Sequence, residues 1–292
     1  MAQFIISAFA DEASDLLDGQ IAALKRNGLR LIEPRSIEGN VVKKSDEELY
    51  AIRAKLDEAG IGLSSLGSPC GKFDIKADFS EHLETFRRAL DACRILGTER
   101  MRMFSFFVEK DELDTYRDEV IRRLGIMIEE AKAAGVILCH ENEHKIYGEA
   151  PERVRDILES LPELRGVFDA ANYVRQGYDP MEGFDATKGS LEYVHVKDAI
   201  RENRAHVPAG MGDGCYEEIL RRVDALTDRT VILTVEPHLF DFAIYKAIDS
   251  QGMDTALKFE NSDQSFDCAV SSLKAILTKI GFTEGEDRIW RK

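Results

Sequence analysis

Three carboxylates and one imidazole recur at matched places along this chain of 292 residues: Glu141, Asp169, His195 and Glu236, spaced by 28, 26 and 41 residues. Each lies in or just after a short run with strand character: Val136–Cys139, Gly166–Phe168, Leu191–Val196 and Val231–Val235. Intervals of one strand plus one helix would set the four side chains at the same end of successive parallel strands. Three carboxylates converging on one cavity repel one another unless a cation sits between them. Oxygen ligands with a single imidazole and no thiolate suit one divalent ion, with Mn²⁺ the first choice and Mg²⁺, Co²⁺ or Zn²⁺ as alternatives. A structural zinc site would need more sulfur or imidazole. Taken singly, each residue has a plainer explanation. A glutamate at a strand end is usually a solvated or capping group, and His195 between two valines reads equally well as a hydrogen-bonded core histidine. Their shared register is what points to a metal.

One chemistry open to such a site is proton transfer next to a carbonyl. A cation chelated by the carbonyl and a neighbouring hydroxyl stabilises the enediolate as its charge develops. One carboxylate removes the proton and a second acid returns it. Glu33, Lys72, Arg102, Asn172, Lys197 and His238 also fall at or near strand ends, where they would bind substrate. The stretch Gly67–Lys72 fits a clamp for phosphate or sugar built from backbone N–H groups and Lys72, or else a plain turn with an exposed lysine. Pro208–Gly214 precedes a helix and reads as an anion site or a tight loop. Glu143 either competes as a ligand or points away. His82 is placed on a helix surface, and Phe104, Phe106, Phe107 and Trp290 read as packing groups, some of which could wall the pocket.

These residues need a scaffold that repeats a strand and a helix. Strands are predicted at Phe4–Ala10, Leu29–Ile32, Ile61–Leu66 and Arg100–Phe104, ahead of the four already named. Helices are predicted over Leu16–Lys25, from the Ser45 cap to Ala59, and over Phe79–Leu96, Asp111–Ala134, Glu152–Leu161, Tyr216–Leu226 and Gln264–Ile280. Gly28, Gly60, Gly97 and Gly135 stand just before strands, as left-handed helix ends do. The sixth repeat is the weakest, because Asp179–Lys188 has poor helical periodicity. Eight units of about 36 residues imply parallel strands with right-handed crossovers. No glycine-rich phosphate turn follows the first strand, which argues against an open doubly wound sheet. The expected fold is α/β, a single (β/α)8 TIM barrel in which residues 1–292 form one domain. His238–Ser262, after the eighth strand, reads as a lid with Gly252 as hinge and Phe240, Phe242 and Tyr245 as shields.

Composition narrows the partners. Lys and Arg number 39 against 54 Asp and Glu, a net charge of −15, which disfavours nucleic acid. No apolar run reaches the ~18 residues a spanning helix needs, and no signal peptide is apparent. Five scattered cysteines without a CxxC fit a reducing, cytoplasmic setting. No nucleic acid and no membrane partner is expected; a homo-oligomer is compatible with the sequence.

The runs His140-Glu141-Asn142-Glu143, Val167-Phe168-Asp169-Ala170-Ala171-Asn172, Tyr193-Val194-His195-Val196-Lys197-Asp198 and Val235-Glu236-Pro237-His238 resemble the sugar phosphate isomerase/epimerase family, the xylose-isomerase-like TIM barrels. Glu33-Pro34-Arg35 and Gly67-Ser68-Pro69 extend the resemblance over most of the chain. The resemblance implies a metal-dependent isomerase or epimerase, one cation held by Glu141, Asp169, His195 and Glu236, and proton shuttling by the two glutamates. Ketose epimerases of this group often carry a histidine three residues beyond the aspartate, where this chain has Asn172. The same group includes inosose dehydratase-like lyases and endonuclease IV-like nucleases. A lyase acting on a polyol keto compound is therefore the alternative. A nuclease, with its several metals and histidines, and a non-catalytic sugar-binding barrel stand further off.

Overall fold

The computed structural model describes residues 1–240 and 255–292. Its barrel is built from β1 (Gln3–Ala8), β2 (Leu31–Ile32), β3 (Gly62–Leu63), β4 (Leu66–Gly67), β5 (Arg100–Met103), β6 (Ile137–Glu141), β7 (Arg165–Asp169) and β8 (Leu191–Val196). A small ribbon follows, β9 (Asp198–Ala199) and β10 (His206–Val207), and then β11 (Thr230–Val235). The helices are α1 (Leu17–Arg26), α2 (Asp46–Ala59), α3 (Phe79–Leu96), α4 (Leu113–Ala133), α5 (Pro151–Ser160), α6 (Ala170–Gln176), α7 (Pro180–Thr187), α8 (Tyr216–Leu226) and α9 (Ser262–Lys279).

Parallel pairing runs β1-β11-β8-β7-β6-β5-β4, and β2 pairs with β3 in a separate piece. Single backbone bonds close the remaining seam. The Glu33 N–H donates to Ala8 O at 3.0 Å, Ser64 N–H to Ile32 O at 2.9 Å, and Gly67 N–H to Pro34 O at 3.0 Å. The eight-fold alternation expected from the sequence is present as a (β/α)8 barrel. The third strand is broken at Ser64 and Ser65, so that β3 faces β2 and β4 faces β5.

Local signals account for most of the boundaries. The Ser45 Oγ accepts the Glu48 N–H at 3.3 Å and Glu48 Oε2 accepts the Ser45 N–H at 2.8 Å, a closed capping box that starts α2. Gly28, Gly60, Gly97 and Gly135 all have left-handed φ, between 69° and 77°. Asp179–Lys188, weak in periodicity, nonetheless holds α7. Asp179 caps it through the Met181 N–H, Pro180 opens it, and the buried Phe184 ring packs edge-on against Phe168. Tertiary packing supplies what periodicity lacks.

The chain end was not foreseen as sheet. β12 (Thr283–Glu284) and β13 (Ile289–Arg291) form a hairpin whose second strand pairs antiparallel with the start of β1, Trp290 opposite Phe4. β1 thus has β11 along its whole length, β13 beside its first residues and β2 beside its last. Trp290 is buried there, as a packing residue should be.

Candidate metal centre and its cavity

Register brings the four named residues to one level. Asp169 on β7 lies opposite His195 on β8, and the Glu236 N–H, just past β11, donates to Val196 O at 3.1 Å. Glu141 is the last residue of β6. One donor atom from each of Glu141, Asp169, His195 and Glu236 lies within 4.8 Å of the other three, and all four residues are buried. Asp169 Oδ2 is fully buried and already meets a cation, the Lys197 ammonium at 3.0 Å.

Protein cations stand among these carboxylates. His195 Nδ1 is 2.9 Å from Glu141 Oε1 and 3.6 Å from Glu236 Oε2. Lys197 Nζ lies 3.0 Å from Asp169 Oδ2 and 3.2 Å from Glu236 Oε2. Arg35 Nη1 donates to Glu236 Oε1 at 3.0 Å, and Arg102 Nε is 3.4 Å from Glu141 Oε2. Burial pushes the His195 imidazole towards its neutral form, but the Glu141 and Glu33 carboxylates outweigh it and raise its pKa to about 10. Burial raises the Asp169 carboxyl to about 7 against the pull of Lys197. Burial also opposes the charge on Glu236, yet Lys197, His238 and Arg35 hold that carboxyl well below its usual range.

A cavity of about 300 Å³ opens above these residues, lined among others by Arg35, Ser68, Lys72, Arg102, Phe104, Glu141, Glu143, Lys197, Glu236 and His238. Of the four metal candidates, only Glu141 and Glu236 reach its wall; Asp169 and His195 are completely buried behind it.

Lys72, Arg102, Lys197 and His238 line the cavity as expected of substrate-binding groups. Glu33 does not. Its carboxylate lies behind His195, with both oxygens 3.3 Å from Nε2, and accepts the Tyr193 hydroxyl at 2.9 Å. That location suits orientation of the imidazole rather than contact with substrate. Asn172 is also outside the cavity wall. Its Nδ2 donates to Asn142 O at 2.9 Å and approaches Glu141 Oε1 at 3.4 Å. Glu143 neither joins the cluster nor leaves the cavity, because Lys72 Nζ holds it at 2.9 Å and His144 Nδ1 at 2.6 Å.

The backbone clamp at Gly67–Lys72 is not open to a ligand. The Gly67, Ser68 and Lys72 N–H groups donate to Pro34 O, Leu66 O and Pro69 O, the Cys70 N–H to Ser68 Oγ, and the Gly71 N–H to His82 Nε2. Gly71 also lies against Phe104; an added Cβ would clash with the Phe104 carbonyl. His82 is therefore not a surface residue. It is 4% exposed and stacks on Phe73 and Phe79. Pro208–Gly214 is likewise committed: Asp198 accepts the Gly210, Gly212 and Gly214 N–H groups at 2.8, 3.1 and 2.9 Å.

Sequence reasoning missed three supports of the site. Asp11 and Glu12 follow β1 directly and pair with the buried Arg35 guanidinium, Asp11 through both oxygens. Glu12 Oε2 accepts the His238 N–H at 2.6 Å, fixing the chain where His238 takes a left-handed φ of 47°. Asn142 grips the backbone of Asp169. Their position at strand ends was the available signal. The expected lid, with Phe242, Tyr245 and Gly252, falls largely outside the described residues.

The family model for xylose isomerase-like TIM barrels matches residues 21–257, and the chain belongs to that family. No curated protein matches it by sequence. Among solved structures, a D-allulose 3-epimerase from Methylomonas sp. superposes with a TM-score of 0.72 at 15% identity, covering 94% of this chain and 100% of the other. A probable 3-DHS dehydratase, AsbF, from Bacillus anthracis gives 0.70 at 15%, covering 94% and 99%. An IOLI protein with a bound zinc atom gives 0.73 at 14%, also covering 94% and 99%. At these identities the likeness concerns the fold. Among the described residues no helix is long and apolar enough to cross a membrane.

Proposed function

We propose that the chain is an isomerase or epimerase of a small carbohydrate, working through Glu141, Asp169, His195 and Glu236 as ligands of one divalent cation. The observation that carries this reading is the convergence of their four donor atoms within 4.8 Å beneath a cavity. When bound, the cation supplies Lewis-acid polarisation of a carbonyl and its neighbouring hydroxyl, Mn²⁺ being the first choice.

The protein side chains divide the remaining work. Asp169 and His195, sealed from the cavity, hold position. Glu141 and Glu236 reach the cavity from β6 and from beyond β11, with β7 and β8 between them, so they approach a bound substrate from different sides. One takes the proton from the carbon next to the carbonyl. The other returns a proton to the opposite face or to the adjacent carbon. Lys197, Arg35 and Arg102 stabilise the carboxylate charges and can donate to substrate oxygens.

Elemental analysis of the purified protein should give one divalent ion per chain. Asp169→Asn and His195→Ala should lose metal and turnover together while the barrel remains folded. Full metal content in both variants would remove these residues from the coordination sphere. An NMR turnover screen of ketoses, their phosphates and inososes with Mn²⁺ present should show a new ketose or epimer. Loss of a hydroxyl with formation of an unsaturated product would identify a lyase instead.

A further inference from the structure

We propose that the natural substrate carries a carboxylate, and that Arg102 and Lys72 grip it against the ring of Phe104. This rests on reading the cavity as a carbohydrate site and adds the chemical class of its ligand.

Arg102 is the odd member of the cavity wall. Its side chain is only 7% exposed, and among the described residues its ion-pair partner is Glu141, at 3.4 Å from Nε. Among those residues the guanidinium donates no hydrogen bond, and Nε is fully buried. A guanidinium has five N–H donors, and leaving them unused in a protein interior is costly. The other buried arginine of the site, Arg35, is by contrast bonded to Asp11, Glu12 and Glu236.

Lys72 meets Arg102 at Phe104. Lys72 Nζ and Arg102 Cζ each lie 4.5 Å from the centre of that ring, and all three residues line the cavity. The two cations share one aromatic ring, Lys72 paired with Glu143 and Arg102 with Glu141. An anion placed between them fills the unused donors of Arg102.

The donor set favours a carboxylate over a phosphate. A planar guanidinium fork accepts either a carboxylate or two oxygens of a phosphate, so the backbone decides between them. A phosphate has three oxygens to satisfy and is usually met by backbone N–H groups. Those of Gly67, Ser68, Cys70, Gly71 and Lys72 are already spent inside the fold. A neutral sugar offers hydroxyls but no charge-assisted acceptor to the Arg102 donors.

Calorimetric titration of the metal-loaded protein with three polyols tests this without requiring turnover. D-gluconate and D-glucitol differ in the terminal carboxylate, D-glucitol 6-phosphate offers a phosphate, and none has a carbonyl. Gluconate should bind at least about 10-fold more tightly than either of the others, as expected for a charge-assisted bidentate contact. Arg102→Gln and Lys72→Gln should each lose about 10-fold in gluconate affinity, and should lose less for glucitol. Arg102→Lys, which keeps the charge but not the fork, should also weaken gluconate. Lys72 is 17% exposed, so Lys72→Gln serves if Arg102→Gln fails to fold. Gluconate binding no tighter than glucitol, or undetectable, would overturn the proposal, as would unchanged affinity in the variants. Tighter binding of the phosphate would overturn the choice of carboxylate. Failure of the isomerase reading would appear separately, as absence of turnover with gluconate binding intact.

Discussion

Asn142 and Asp169 are clasped side chain to backbone. Asn142 Nδ2 donates to Asp169 O at 2.9 Å and the Asp169 N–H donates to Asn142 Oδ1 at 3.0 Å. Both groups are buried, so the clasp fixes the Asp169 backbone at the mouth of the barrel. Asn142→Ala strands a buried N–H and a buried C=O, and stability should fall by about 2 kcal/mol. Metal affinity should fall with it, since outer partners of a ligand typically contribute about 10–100-fold. Thermal melting and a metal titration of the variant would check both, and unchanged metal affinity would show that Asp169 is held by other contacts.

The parts of this site that were legible in the sequence are those set by strand register. A strand end delivers one side chain to a fixed level, so Glu141, Asp169, His195 and Glu236 could be brought together from spacing alone. The barrel followed from the repeat length and from glycine helix ends. Groups that act through a second side chain were harder to place. Glu33 follows a strand of two residues, and nothing in its neighbours shows that Tyr193 and His195 take both its oxygens. His82 sits in a helix with polar neighbours, and its burial comes from Phe73 and Phe106, which reach it from separate loops. The hairpin Thr283–Arg291 is too short to announce itself and exists through its pairing with β1.

Glu33 should behave as a positioning residue. Glu33→Ala removes the acceptor behind His195 and leaves the cavity wall intact. Metal affinity and kcat should fall by about 10–100-fold, with KM for substrate little changed at saturating metal. A rise in KM with metal affinity unaltered would return Glu33 to a direct role in substrate binding.

His82 should make the fold sensitive to acid. Burial, with a smaller contribution from Arg123, lowers its pKa from 6.5 to about 4, and Nε2 must stay unprotonated to accept the Gly71 N–H. Between those two values the unfolded chain binds more protons than the folded one, so stability falls as pH drops from about 6.5 towards 4. The contribution is on the order of 3 kcal/mol. His82→Gln keeps an acceptor that does not titrate. Urea unfolding of both proteins across this range should show a shallower pH dependence in the variant, and parallel curves would dismiss the role of His82.

Proton transfer through Glu141 and Glu236 is the centre of the account, and solvent deuterium reports on it most directly. When the substrate found in the turnover screen is converted in D₂O, a proton that passes through a carboxyl group exchanges, and deuterium should appear in the product at the carbon next to the carbonyl. Glu236→Gln at saturating Mn²⁺ should be slower by at least about 10²–10⁴-fold, even where its metal content is restored. Product carrying only the substrate's own hydrogen, formed at full rate by that variant, would contradict the mechanism.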